Sequence, residues 1–404
     1  MTPVSLPSLD DLGLASLRSH RVLVRVDFNV PLDGDTVTDD TRLTAALPTI
    51  EALRGAGARV ILMSHLGRPK GERKPELSLR PVAARLSELM SAPVAFAADC
   101  IGEPATTAVD ALGDGELLVL ENLRFHVGEK KNHDDFASAL AAHADVYVND
   151  AFGAAHRAHA SVVGVPARVA RSAAGRLLTR EVEVLGQLLA APATPFAAIL
   201  GGAKISDKID VIENLIERLD VLIVGGGMAN TFLRVHGHDL QRSLVEEDKV
   251  DEAKRILDRA AALGARVELP VDLVVTDDLG APQRIETVAP DAIPEGMLAV
   301  DVGPESRARF LAALGGVKTL FWNGPLGVFE KEPFDAGTDA LASGLETVDG
   351  FVVIGGGETV AAVGRAGMTA SVDHVSTGGG ASLELLGGKT LPGVAALVEK
   401  GGEA

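Results

Sequence analysis

An α/β fold of two doubly wound, parallel-sheet (Rossmann-like) domains joined by a helix and hinge is predicted by three observations. At 404 residues the chain is too long for one ordinary core and suits two domains. Short β-rich runs alternate with stretches of helical period in both halves, the pattern of parallel βαβ units. Nearly every strand-like run of the second half ends in glycines, as strands do where their C-terminal ends line a ligand crevice.

In the first half, Arg21 to Phe28 is a β-rich run, followed by a turn-rich stretch and a helical pattern from about Thr41 to Leu53 that Asp39 or Asp40 is able to cap. Arg59 to Ser64 reads as the next strand. Then come a helix near Pro81 to Met90, strands at Val94 to Ala97 and Leu117 to Leu120, a helix near Asp135 to Ala142, and a strand at Val146 to Asn149. After a loop rich in glycine and histidine, the amphipathic stretch Leu177 to Leu189 ends at Ala191-Pro192-Ala193-Thr194-Pro195 and reads as a helix linking two domains.

The second half opens on Phe196 to Leu200, a short buried strand, and continues with strands at Val221 to Val224, Leu273 to Thr276, Thr319 to Trp322 and Phe351 to Ile354. The clusters Gly225-Gly226-Gly227, Gly324-Pro325-Leu326-Gly327, Gly355-Gly356-Gly357 and Gly378-Gly379-Gly380 suggest backbone packed against a nucleotide. Between the first strand and an amphipathic run lies Gly201-Gly202-Ala203-Lys204-Ile205-Ser206-Asp207-Lys208. A helix start carries unpaired N–H groups and partial positive charge, so this turn suits an anion. Taken alone, it reads equally as a tight turn with two solvated lysines.

Composition narrows the function. A net charge of −18 argues against general binding to nucleic acid or to an anionic membrane. No apolar run approaches the roughly 20 residues of a membrane span, and the start Met1-Thr2-Pro3-Val4-Ser5-Leu6-Pro7 lacks a basic segment followed by an apolar one. A cytoplasmic protein is expected. The single cysteine, Cys100, excludes internal disulfides and cysteine-based metal clusters, and is expected to be buried and inert.

Two motifs fail on inspection. Gly388-Lys389-Thr390 resembles the end of a P-loop, but Leu383 stands where its first glycine belongs. Gly225-x-Gly227 and Gly355-x-Gly357 miss the dinucleotide fingerprint, because Asn230 and Val360 replace the third glycine. No His-Arg-Asp motif and no Gly-x-Ser-x-Gly elbow is present.

Against this acidic background, Arg25, Arg42, Arg68, Arg124 and Arg157 fall at or beyond strand ends, joined by His65, His156 and His159. Any one arginine fits a surface ion pair. Together with Asp27 and Asn29 they suit a small phosphorylated hydroxy acid, since guanidinium groups pair phosphate and carboxylate while Asp and Asn bond a hydroxyl. The two nearby histidines, without a third ligand, fit phosphate recognition better than a metal. Trp322 reads as a core aromatic.

Several long stretches resemble the phosphoglycerate kinase family in register. They include Val26-Asp27-Phe28-Asn29-Val30-Pro31, Thr38-Asp39-Asp40-Thr41-Arg42, Ser64-His65-Leu66-Gly67-Arg68-Pro69, Glu121-Asn122-Leu123-Arg124-Phe125 and Ala151 to Ser161. In the second half they include Gly201-Gly202-Ala203-Lys204, Gly225 to Ala229, Asp301-Val302-Gly303-Pro304, Trp322-Asn323-Gly324-Pro325, Val328-Phe329-Glu330 and Ser376 to Ser382. The resemblance spans essentially the whole chain.

It implies a kinase passing a phosphoryl group reversibly between 1,3-bisphosphoglycerate and ADP, giving 3-phosphoglycerate and ATP with Mg²⁺, in glycolysis and gluconeogenesis. By that resemblance residues 1–175 bind phosphoglycerate, 176–194 form the interdomain helix and hinge, 195–385 bind the nucleotide, and 386–404 return to the first domain. Asp27, Phe28, Asn29, Arg42, His65, Leu66, Gly67, Arg68, Arg124 and Arg157 would hold the phosphoglycerate. Lys208, Glu330, Gly356, Gly357, Glu358 and Thr359 would hold the nucleotide. Arg42, Lys204 and the N–H groups of Gly357 and Gly380 would act on the phosphoryl group in flight, in a closed cleft that excludes water. Glu358 is the candidate Mg²⁺ ligand, where the family usually has Asp. Asn230 and Gly387 are lesser departures, at places where the family often has an aromatic and Glu. A monomer is expected. The rival readings are another acyl-phosphate kinase and a non-catalytic binding protein of the same fold.

Overall fold

The computed structural model describes residues 6–401, with side chains from Leu6 to Glu399. Met1 to Ser5, part of the start on which the leader reading rests, and residues 402–404 of the C-terminal segment lie outside the described residues. The chain divides into two compact units, one taking in Met1–Val184 and Thr390–Ala404, the other Leu185–Lys389.

The first unit is built on a six-stranded parallel sheet in the order Val94–Phe96, Leu117–Val119, Arg59–Met63, Arg21–Arg25, Val146–Asn149, Arg171–Ala174. Helices on both faces explain why the central strands are unbroken apolar runs: Val22, Leu23, Val24, Val60, Ile61 and Leu62 are all fully buried. Asp39 supplies the start of helix Thr41–Gly55, its Oδ1 accepting the Thr41 N–H at 2.9 Å. Asp40 instead pairs with Arg85 at 2.6 Å. Helix Arg176–Ala190 begins in this unit, where Asp150 Oδ1 accepts the Leu177 and Leu178 N–H groups and Thr49 Oγ1 accepts that of Arg176. Helix Pro392–Gly401 packs on strand Arg171–Ala174 and on the π-helical turn Ala160–Gly164.

The second unit carries a parallel sheet in the order Arg266–Glu268, Val221–Val224, Phe196–Leu200, Thr319–Asn323, Phe351–Gly355, His374–Ser376. One expected member of this alternation is displaced. Leu273–Thr276 is the centre of a separate three-stranded antiparallel sheet, between Ile285–Val288 and Leu298–Val302. Its single short apolar run looked like its parallel neighbours, but it has antiparallel partners in the strands that follow it. Among the described residues no helix is long and apolar enough to cross a membrane.

Candidate active site

In the first unit, the loops after four neighbouring strands converge. Asp27 follows strand Arg21–Arg25, and its Oδ2 receives Arg42 Nη1 at 3.1 Å. Arg42 also donates to the Asn29 carbonyl at 3.2 Å, so one guanidinium ties the first loop to helix Thr41–Gly55. Asn29 Oδ1 accepts the Gly67 N–H at 2.8 Å, and Asn122 Oδ1 accepts those of Leu66 and Arg124. The loop after strand Arg59–Met63 is thereby fixed between the loops beside it. Arg124 Nη1 donates to the Gly67 carbonyl at 2.6 Å, while its buried Nε has no partner. The Phe28 side chain is fully buried, so this residue offers the site only its backbone. Arg68 and Arg157 are exposed.

Electrostatics sets the protonation of this cluster. Burial, then the charges of Arg25, Arg124, Arg157 and Arg42, push the His65 imidazole well below its usual range. Burial and the same kind of cationic surroundings push His159 down to about 3. Arg124 is lowered to about 10, first by burial and then by Arg25 and Arg157. Positive charge is thus crowded here, a cost that an arriving anion relieves.

In the second unit the strand ends at Leu200 and Asn323 are neighbours, at the place where strand order reverses. Lys208 is buried there, its Nζ donating to the Asn323 carbonyl at 3.1 Å and to Asn323 Oδ1. Burial lowers its pKa to about 8, against the raising influence of Asp207 and Glu358. Lys204, Glu330, Gly357, Glu358 and Gly380 are exposed. Helices Gly357–Arg365 and Gly380–Leu386 begin at the two glycines singled out for their N–H groups. The buried Thr359 Oγ1 accepts the Gly324 N–H at 2.8 Å, tying one of these helix starts to the loop beside it. Glu358 is raised by burial, then by the charge of Glu330 and a hydrogen bond to it, with Lys208 opposing.

The glycines of this unit do two different things. A Cβ on Gly201 would lie 2.0 Å from the Pro325 carbonyl oxygen, one on Gly226 2.6 Å from that of Gly202, and one on Gly227 2.7 Å from that of Ala203. Gly202 N–H donates to Pro325 O, Gly226 N–H to Leu326 O, and Met228 N–H to Gly202 O. These glycines are packed on one another's backbone, which leaves no room for a Cβ at any of the three. Gly357 and Gly379, by contrast, have open space where a Cβ would stand.

The residue types alone left some residues unassigned. Asn323 and Asn122 lie inside stretches that carry the resemblance, but nothing in the residue pattern singled them out as partners of Lys208 and of the Leu66 loop. Asp301 likewise pins Gly337 N–H at 2.8 Å, and burial raises it to about 7. Trp322 is fully buried, its Nε1 donating to the Gly324 carbonyl. Cys100 is buried with its thiol raised by that burial, yet Asp99, Cys100 and His126 bring ligand atoms within 4.8 Å of one another. The Asp99 oxygens are already engaged by Arg73, His126 and the Cys100 N–H, so this group is satisfied as it stands.

Comparison with known proteins decides the family. The sequence model described as Phosphoglycerate kinase matches residues 9–389. The chain belongs to the phosphoglycerate kinase family. It is 56% identical over 384 residues to the phosphoglycerate kinase of Moorella thermoacetica, covering 95% of this chain and 98% of that one. It is 52% identical over 396 residues to that of Synechococcus, covering 97% and 98%. The fold superposes on phosphoglycerate kinase from Coxiella burnetii with a TM-score of 0.86, at 38% identity over 98% of this chain and 99% of that one. The Pyrococcus horikoshii phosphoglycerate kinase gives 0.85 at 31% identity, covering 99% and 100%. The chain is a phosphotransferase of the glycolytic phosphoglycerate kinase type, acting on small-molecule substrates that include a nucleotide.

Proposed function

We propose that the first unit holds 3-phosphoglycerate or 1,3-bisphosphoglycerate through Asp27, Asn29, Arg42, His65, Arg68, Arg124 and Arg157, and that the second holds ADP or ATP through Lys208, Glu330 and Gly356 to Thr359. The observation that carries this reading is the strand-end cluster in which crowded Arg124 and Arg42 stand beside Asp27 and a neutral His65. Cations recognise the phosphate, and Asp27 and Asn29 are suited to the hydroxyl.

In the ATP-consuming direction the attacking group is a carboxylate, ionised at neutral pH, so no general base is required. Catalysis is then positioning and stabilisation of charge on the equatorial oxygens, the role assigned to Arg42, Lys204 and the Gly357 and Gly380 N–H groups. Transfer needs the two ligands in bonding range, so domain closure about the 176–194 segment belongs to this proposal. Glu358 suits Mg²⁺ carried by the nucleotide: its carboxylate stands against Glu330, a like-charge pairing that a cation would relieve. Mg²⁺ would there neutralise phosphate charge. A cytoplasmic monomer completes the reading.

The test is a coupled assay with the pure protein. ATP-dependent consumption of 3-phosphoglycerate is expected, and its absence would sink the proposal.

A further inference from the structure

Arg25 ends the central strand of the first unit and is fully buried. A guanidinium in that position demands a counter-charge. Its Nε donates to Ser161 Oγ at 2.8 Å, and Ser161 Oγ donates in turn to Glu129 Oε1 at 2.6 Å. The Ser161 N–H donates to Glu129 Oε2 at 3.0 Å, so both carboxylate oxygens are bound by one residue. Glu129 is itself fully buried, in the short helix Val127–Lys131. From the other edge of Arg25, Nη2 reaches His65 Nδ1 at 3.1 Å. His159 Nδ1 lies 3.7 Å from Glu129 Oε1, and Glu129 acts electrostatically on Arg124, opposing the repulsion from Arg25 and Arg157.

We propose that Glu129 is a positioning residue for phosphoglycerate recognition, acting through Ser161 and Arg25 on His65 and as the buried counter-charge of the arginine cluster. The inference rests on the assignment of that cluster to phosphoglycerate. Ser161 suits the relay because a hydroxyl donates one hydrogen bond while accepting another. With a glutamine in place of the carboxylate, one of the two Ser161 donors faces an NH2 instead of an acceptor, Arg25 loses its linked negative charge, and the three arginines repel with less compensation. The phosphate-facing geometry relaxes while the nucleotide unit is untouched.

The test is steady-state kinetics of Glu129→Gln, Glu129→Asp and Ser161→Ala, with Arg124→Ala as reference. Glu129→Gln and Ser161→Ala should each raise the KM for 3-phosphoglycerate about tenfold, with kcat and the KM for ATP changed by less than about twofold. Glu129→Asp, which keeps the charge, should recover part of the loss. A purely structural role would lower the active fraction, and so kcat, without singling out one substrate's KM, and that result would overturn the proposal. If Glu129→Gln does not fold, Ser161→Ala decides alone. Unchanged KM in the relay variants with a raised KM in Arg124→Ala would overturn the relay; unchanged KM in Arg124→Ala as well would overturn the site assignment beneath it.

Discussion

Arg25 Nη2 stands 3.1 Å from His65 Nδ1, with both side chains buried. A guanidinium only donates, so Nδ1 accepts and the imidazole proton sits on Nε2. The contact therefore fixes a neutral tautomer, in line with the lowered pKa of this histidine.

Phosphoglycerate affinity should accordingly be flat from pH 7 to pH 9, since His65 and His159 are neutral throughout. A loss of affinity over that range, measured calorimetrically, would show that a charged histidine binds the ligand. Stability follows the opposite end of the scale. The folded state refuses a proton at His159 until about pH 3, whereas the unfolded chain accepts one near 6.5. Its contribution is complete above about pH 6.5 and is lost as pH falls through that window toward 3. Denaturant midpoints at pH 7 and pH 5 should differ less in His159→Gln than in the parent.

Nucleotide binding should respond to alkali instead. Lys208, with a pKa of about 8, loses its charge as pH rises through that value, and a bound phosphate would hold the proton on. The Kd for ADP should weaken by about tenfold between pH 7 and pH 9, and Lys208→Met should bind weakly with that dependence gone. A parent protein without the alkaline loss would place Lys208 away from the phosphates.

Arg42→Ala and Lys204→Ala should each lower kcat by on the order of 10² or more. If the loss is confined to KM, neither side chain stabilises the phosphoryl group in flight.

Replacing Glu358 with Asp should shift the Mg²⁺ concentration needed for half-maximal rate. Superimposable metal titrations would remove this carboxylate from the metal's surroundings.

Gly201→Ala should destabilise the second unit by about 1–3 kcal/mol or more, because the added methyl meets the Pro325 carbonyl at 2.0 Å. Gly364→Ala, in the last turn of helix Gly357–Arg365 with open space around it, should instead stabilise by about 0.5 kcal/mol. Guanidinium melts of the two variants test the pair.

The parallel strands were legible because burial on both faces leaves an apolar run with no alternation, as in Val22 to Val24 and Phe196 to Leu200. The antiparallel placing of Leu273–Thr276 was not, since pairing direction depends on partners such as Ile285–Val288 that carry no strong run of their own. In the site, charged residues at strand ends could be read, and the resemblance supplied their roles. Glu129 could not be singled out. A buried carboxylate in Gly128-Glu129-Lys130 looks like any exposed helical charge until the fold brings Ser161 to it from 32 residues away.

The loops around Gly201, Gly226 and Gly324 meet backbone to backbone, and this restricts how the protein can be altered by steps. A side chain gained at one of these positions needs a simultaneous retreat of the facing loop, so a single-codon change there carries a stability penalty that a second change must offset. Stepwise change is open instead at Gly357, where a new side chain has room, the backbone is not left-handed and the packed loops are left as they are.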